Sequence, residues 1–235
     1  MKKFFLFTAA VVAALSINAA VYDLAEMNFA QSDLSVTGGS ITDNASKSYF
    51  EVKNNAGEVV ELTLAQLPNI KFTYKNSEVK TAFKVYYITE NNKKGKIQMD
   101  GNQRDVVISG LNPGDKIVLW VNSKGSTGAQ FVDDEKKGTA FTGCVAVDPS
   151  APGIASALPG KDNEEDAYAI ELQAVSNEAI IRETVGGYVL SKIQVGGGQG
   201  VENVNADVKT VKTFENGQLV IIKNGVRYNA LGAQL

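Results

Sequence analysis

Apolar residues recur at every second position over most of this 235-residue chain, and that period constrains the fold more than any other feature. Ile70, Phe72 and Tyr74 alternate with Lys71, Thr73 and Lys75, the pattern of a strand with one face buried and the other in water. The same reading predicts strands over 83–88 (FKVYYI), 105–111 (DVVISGL), 116–121 (KIVLWV), 141–147 (FTGCVAV), 168–175 (YAIELQAV), 179–185 (AIIRETV) and 188–195 (YVLSKIQV), with YFEV and VVELTL ahead of them. Asn112-Pro113-Gly114-Asp115 reads as a turn, because proline presets φ and glycine accepts a positive φ. About ten strands, punctuated by turns and without a long helical period, predict an all-β fold, an antiparallel sandwich or barrel. The longest irregular stretch, 148–166, holds three of the five prolines and reads as a surface excursion or binding loop.

The two ends carry different signals. Lys2 and Lys3 precede an apolar run from Phe4 to Ile17, and the small residues Ala19 and Ala20 follow. That is the three-part pattern of an export signal, and the run is shorter than the ~20 residues that span a bilayer. Residues 1–20 are therefore expected to be a signal peptide and 21–195 one β domain. No cysteine lies near the cleavage point, so an acyl anchor has no support. Without Lys2 and Lys3, the 23 basic and 26 acidic residues become 21 and 26, and the net charge moves from −3 to −5. Such a chain, with its three arginines, argues against nucleic acid as a partner, since phosphate neutralisation needs clustered Lys and Arg. Cys144 is the only cysteine, so no internal disulfide forms, and its apolar surroundings predict a buried thiol.

Gly196-Gly197-Gly198-Gln199-Gly200 and the polar residues after it predict a flexible linker over 196–210. Beyond it, Asn216-Gly217 and Asn224-Gly225 are hairpin turns, which predicts a small C-terminal hairpin or meander over 211–235. This tail, FENGQLVIIKNGVRYNALGAQL, resembles the C-terminal tails of proteins exported by the type IX (Por) secretion system. There an Asn-Gly turn, a short apolar strand and a Tyr-x-x-x-Gly ending recur, here Tyr228 through Gly232. The unit is shorter than the full immunoglobulin-like sorting domains of that system, and the resemblance implies sorting to the cell surface or medium.

The body is similar to jelly-roll β-sandwich modules of secreted bacterial proteins. The likeness is carried by Gly110-Leu111 with Pro113-Gly114-Asp115, by Ser123-Lys124-Gly125, and by the strand pair closed at Gly186-Gly187. What it implies is a jelly-roll sandwich and a carbohydrate-binding-like module, with the sugar unstated.

Catalytic constellations fail on residue types. With no histidine, Ser-His-Asp, Cys-His and the usual zinc sets are absent. The Gly196–Gly200 run leads into no amphipathic helix, which argues against a dinucleotide site. Gly153 to Lys161 has six residues between its glycines where a P-loop needs four. Asp133-Asp134-Glu135 and the run Asp162 to Asp166 offer oxygen ligands for a structural Ca²⁺. They lack the spaced pattern that wraps one ion, and a solvated loop is the simpler reading. A polysaccharide lyase would need Tyr86 or Tyr74 beside Arg104 or Arg182, and a glycosidase two carboxyls at fixed separation. The expectation is a non-catalytic protein with no cofactor beyond such a calcium ion.

For binding, the aromatic residues are the useful clue, because sugars stack apolar faces on rings and take hydrogen bonds from polar neighbours. Alternation in KIVLWVN places Ile117, Leu119 and Val121 on one face and Val118, Trp120 and Asn122 on the other. In FKVYYI, Phe83, Val85 and Tyr87 point inward, leaving Lys84 and Tyr86 outward. Trp120, Tyr86, Lys84 and Asn122 are thus the candidate ligand-binding residues, provided their strands are neighbours. The competing reading packs Trp120 under a loop or on the second sheet, as large aromatics in sandwiches usually are. The expected function is a surface or secreted carbohydrate-binding-like module with a polysaccharide or glycan partner. The alternative is a structural or adhesive protein with a surface-protein partner; an integral membrane protein is not expected.

Overall fold

The computed structural model describes residues 19–90, 94–124, 128–158 and 167–196 in full, and three further strands within 210–229 by their backbone. All but the last two residues of the expected export signal, residues 197–209 of the expected linker, and Asp162 to Asp166 lie outside the described residues.

The strands of the body are β1 (Ala20–Asp23), β2 (Leu34–Thr37), β3 (Gly39–Asn44), β4 (Tyr49–Asn54), β5 (Val59–Leu64), β6 (Ile70–Lys75), β7 (Thr81–Tyr86), β8 (Lys96–Met99), β9 (Arg104–Ser109), β10 (Lys116–Ser123), β11 (Phe141–Thr142), β12 (Cys144–Ala146), β13 (Tyr168–Ala174), β14 (Glu178–Arg182) and β15 (Tyr188–Val195). They form a nine-stranded sheet, β12-β13-β10-β15-β8-β7-β4-β3 with β1 also on β15, and a six-stranded sheet, β11-β14-β9-β6-β5-β2. Neighbours pair antiparallel, and the two sheets make the β-sandwich that the alternation predicts.

The core lies between the inner faces. Ile117, Leu119 and Val121 of β10 meet it, as do Phe83 and Val85 of β7, while Tyr87 packs at its border. Phe72 of the smaller sheet and Phe83 of the larger touch edge to face, with ring centres 6.1 Å apart. Each such fully buried side chain stabilises the fold by about 1.5–3 kcal/mol. Cys144 is buried and unpaired, and burial pushes its thiol up to about 12.

Four strands escape a reading by alternation. β1, β2 and β8 have four residues each, and β3 (GSITDN) is polar and glycine-led. The stretch 141–147, expected as one strand, is two. β11 ends one margin of the smaller sheet and β12 the same margin of the larger, and the chain crosses between sheets at Gly143. At the opposite margin β2 and β3 cross in the same way at Gly38. Corners of this kind need a sharp local bend, and both glycines have positive φ, 71° and 63°. A Cβ on Gly143 would stand 1.9 Å from the Glu178 carbonyl oxygen. Gly143→Ala is therefore expected to cost roughly 2–4 kcal/mol of stability, read as a lower urea midpoint. Gly114→Ala, also at positive φ but with open space at the Cβ position, should cost about 1 kcal/mol. Equal losses in the two variants would show that the corner adds nothing beyond its φ.

The chain divides into two compact units, Met1–Gly198 and Gln199–Leu235. In the second, β16 (Thr210–Glu215), β17 (Gln218–Lys223) and β18 (Val226–Asn229) form an antiparallel meander in the order β16-β17-β18. Glu215 pairs with Gln218 and Lys223 with Val226, while Asn216-Gly217 and Asn224-Gly225, expected as turns, lie outside the described residues. Among the described residues no helix is long and apolar enough to cross a membrane.

Candidate functional site

The four candidate binding residues all face outward from the nine-stranded sheet, but their strands are not neighbours. β15 and β8 stand between β10 and β7, which separates the two pairs by three strand spacings, about 14 Å. Register nevertheless aligns them. Trp120 pairs with Lys192, Tyr86 with both Lys96 and Tyr49, and Tyr49 with Asn44. Continuing the β8–β15 register by one residue beyond Leu190–Ile97 brings Lys96 opposite Ser191. One row therefore runs across six strands as Trp120, Ser191 and Lys192, Lys96, Tyr86, Tyr49 and Asn44. The next row is Asn122, Val189, Gln98, Lys84 and Glu51.

A β-bulge shapes the first row. The β10–β15 register shifts between Trp120 and Val121, so Ser191 and Lys192 both fall between the inward-facing Leu190 and Ile193. Two adjacent polar side chains then share the outer side, and the Ser191 hydroxyl donates to the Trp120 carbonyl at 3.2 Å. Trp120 is half-buried. It lines an open cleft of about 200 Å³ together with Asp23, Ala25, Lys94, Gly95, Lys96, Ser191 and Lys192. The cleft sits where β1 and β8 follow one another along β15. Lys192 Nζ lies 5.0 Å from the centre of the Trp120 ring and 3.8 Å from the Asp23 carboxylate.

The other end of the row is more tightly tied. Tyr49 and Tyr86 have ring centres 5.1 Å apart. The Tyr86 hydroxyl donates to Gln98 Oε1 at 3.3 Å, and Gln98 Nε2 donates to Asp100 Oδ1 at 3.1 Å. Asp100 also holds Lys84 at 3.3 Å and Lys124. Burial, and after it Tyr49, pushes the Tyr86 hydroxyl above the usual phenol range. Burial, and after it Lys94, holds Lys96 below the usual lysine range.

Two of the four candidates need correction. Asn122 lies on the outer face by register yet is only 4 % exposed, so it is covered by its neighbours instead of standing beside Trp120 as an open hydrogen-bonding group. Lys84 is committed to Asp100 and lies over the Tyr49 ring, at the far end from Trp120. The strongest grouping is instead Trp120 with Lys96, Lys192 and Ser191. Reading by alternation missed Lys96 because the four-residue β8 escapes it, and Lys192 because plain period 2 in YVLSKIQV puts it on the core face. The Ser191-Lys192 doublet between apolar residues three apart was the available sign of a bulge.

Other sequence candidates are committed within the fold. Tyr74 and Arg104 do meet, with the guanidinium 3.9 Å from the ring centre, but they are 6 % and 5 % exposed. Arg104 donates to the carbonyls of Ala82, Asn102 and Thr81 at 3.1, 2.7 and 2.7 Å, so its guanidinium is held in the interior. Arg182 forms a two-bond pair with Asp105, both at 2.7 Å. Asp133 accepts from the Ala140 amide and Asp134 from the Lys136 and Lys137 amides, which accounts for these carboxylates as loop-forming groups. Among the described residues no three Asp, Glu, Cys or His side chains converge on a point.

Comparison with protein-family models, with curated proteins and with solved structures finds no match to this chain.

Proposed function

We propose that this is an exported carbohydrate-binding protein of jelly-roll type that takes a glycan along the outer face of its larger sheet. The single observation that carries the reading is Trp120, half-buried in an open cleft and flanked by Ser191, Lys96, Lys192 and Asp23. A ring fixed by its surroundings and open on one side offers apolar contact at little entropic cost, while hydroxyl, ammonium and carboxylate groups around it supply hydrogen bonds. The cleft is smaller than the roughly 300–1,000 Å³ of sites that engulf a small ligand. It suits one unit of a chain that otherwise lies across the open face.

Trp120 is the only tryptophan, so intrinsic fluorescence reports on this cleft alone. Titration with a panel of plant, host and microbial glycans is expected to give a saturable change. Trp120→Ala should weaken binding by about 5- to 150-fold, as measured by calorimetry, because a stacking aromatic at such a site supplies about 1–3 kcal/mol. A signal that no glycan alters, from a protein that remains folded, would sink the reading.

The runner-up is a structural or adhesive surface protein. It is favoured by the exposed Val145, Val147 and Val175 around β12, an edge strand of the kind that pairs with other chains. Concentration-dependent association lost in Val145→Lys would favour it.

A further inference from the structure

The rings of the Trp120 row each carry an ammonium group. Lys192 Nζ lies 5.0 Å from the centre of Trp120, Lys96 Nζ 4.8 Å from that of Tyr86, and Lys84 Nζ 5.4 Å from that of Tyr49. A cation drawn to a ring by its quadrupole sets a positive charge beside the ring's apolar flank, so one site offers both contacts. Among the described residues the cleft gathers Lys94, Lys96 and Lys192 with the carboxylate of Asp23, in a chain whose net charge is −3. Burial, and after it Lys94, holds Lys96 below the usual lysine range, and an anion bound nearby acts in the opposite sense. From Trp120 to Tyr49 the row spans four strand spacings, about 19 Å, long enough for several units of a polymer.

We infer that the ligand of this face is an anionic polysaccharide, with its carboxylate or sulfate groups met by Lys94, Lys96 and Lys192 and its ring flank by Trp120. The inference rests on the glycan-binding reading above and narrows it to a charge class. Lys96 on β8 and Lys192 on β15 both line the cleft, with their ammonium groups over Tyr86 and Trp120 respectively, so successive acidic groups of a chain lying along the row meet one ammonium group each. Charge-assisted contacts of this kind are about twice as strong as neutral ones, and salt screens them.

The purified full chain is titrated by calorimetry, and by Trp120 fluorescence, with five polymers. They are polygalacturonate, its carboxyl-reduced neutral form, dextran sulfate, dextran, and polyglutamate, which has the charge but no sugar ring. Binding of polygalacturonate or dextran sulfate without binding of the neutral forms is expected, and the stronger of the two identifies the acidic group. Raising salt from 50 to 500 mM should weaken it about tenfold or more. Lys96→Gln with Lys192→Gln should weaken it by about tenfold, and each single change by an intermediate factor. Lys71→Gln, on the smaller sheet and paired with Glu61, makes the same charge change elsewhere and should leave affinity unaltered. Far-ultraviolet circular dichroism and urea midpoints establish that each variant folds. Equal binding of neutral and acidic polysaccharides overturns the charge class while the glycan reading stands. Polyglutamate binding as tightly as polygalacturonate overturns the polysaccharide assignment, since the face would then read charge alone. Silence with every polymer removes both readings.

Discussion

Replacing Glu183 by glutamine is expected to raise the unfolding free energy by up to about 5 kcal/mol at pH 8 and to change it little at pH 4. Glu183 follows the end of β14 and is fully buried, and among the described residues no protein group hydrogen-bonds to either carboxyl oxygen. Continuing the β14–β9 register by one residue beyond Arg182–Asp105 places it beside Arg104. Burial pushes its carboxyl from 4.5 up to about 8, against the opposing charges of Arg104 and Lys137. Tyr188, buried in the facing sheet with an equally unpartnered hydroxyl, is pushed well above the usual phenol range by burial first and then by Glu183 and Asp105. Because the folded carboxyl binds its proton more tightly than the unfolded one, the folded state holds the extra proton between about pH 4.5 and 8. Stability is then lost as pH rises through that window and levels off above it. Glutamine has the same shape and no charge, so the variant loses the slope. Urea midpoints at half-unit steps from pH 4 to 9 measure this directly. Parallel curves for the two proteins would mean that Glu183 ionises freely in the folded state.

The second large effect is expected at Arg104, where Arg104→Met should cost about 3–5 kcal/mol at pH 7. The side chain starts on β9 of the smaller sheet and reaches carbonyls of Thr81 and Ala82 on β7 of the larger one, so it ties the two sheets together. Ala82 is the extra residue where the β4–β7 register shifts between Val52 and Lys53, and a bulge of this kind leaves a backbone group outside the regular ladder. Removing the guanidinium takes a donor from three carbonyls; that of Ala82 keeps the Asp100 amide, and those of Thr81 and Asn102 each lose about 1–3 kcal/mol if nothing replaces it. It also removes the positive charge nearest Glu183, which should push that carboxyl higher still. Arg104→Lys separates the two contributions, because an ammonium keeps the charge but not the planar fork that serves several carbonyls at once. The Arg104→Met and Glu183→Gln effects should be non-additive, as expected for neighbours that share an interaction. Chemical denaturation of the single and double variants supplies the coupling energy, and a value of zero would show that the two buried groups do not sense each other.

Much of the site was legible one strand at a time. Alternation in KIVLWVN was enough to turn Trp120 away from the core, and alternation in FKVYYI did the same for Lys84 and Tyr86. Each such statement concerns a side chain and its immediate neighbours in the chain, which pleating links by a fixed period. Local residues likewise determined the turn at 112–115, where proline and glycine set backbone angles.

What the sequence did not reveal depends on which strands pair. Nothing within β7 or β10 says that β8 and β15 lie between them, because strand order is settled by contacts between residues far apart in the chain. The bulge at Ser191, which moves Lys192 to the side of Trp120, is fixed by the partner strand. The break at Gly143 shows the same dependence, since FTGCVAV reads as one strand until two different sheets claim its halves. Glu183 is the clearest case. A glutamate after AIIR looks like the polar end of a strand, and only the closing of the second sheet over it removes its water. The sequence by itself therefore determined an all-β chain, the face each side chain takes along an unbroken strand and the turn at 112–115, all set by local sterics and period. The tertiary structure alone decided which lysines meet Trp120 and which carboxyl is buried, because both follow from long-range pairing and desolvation.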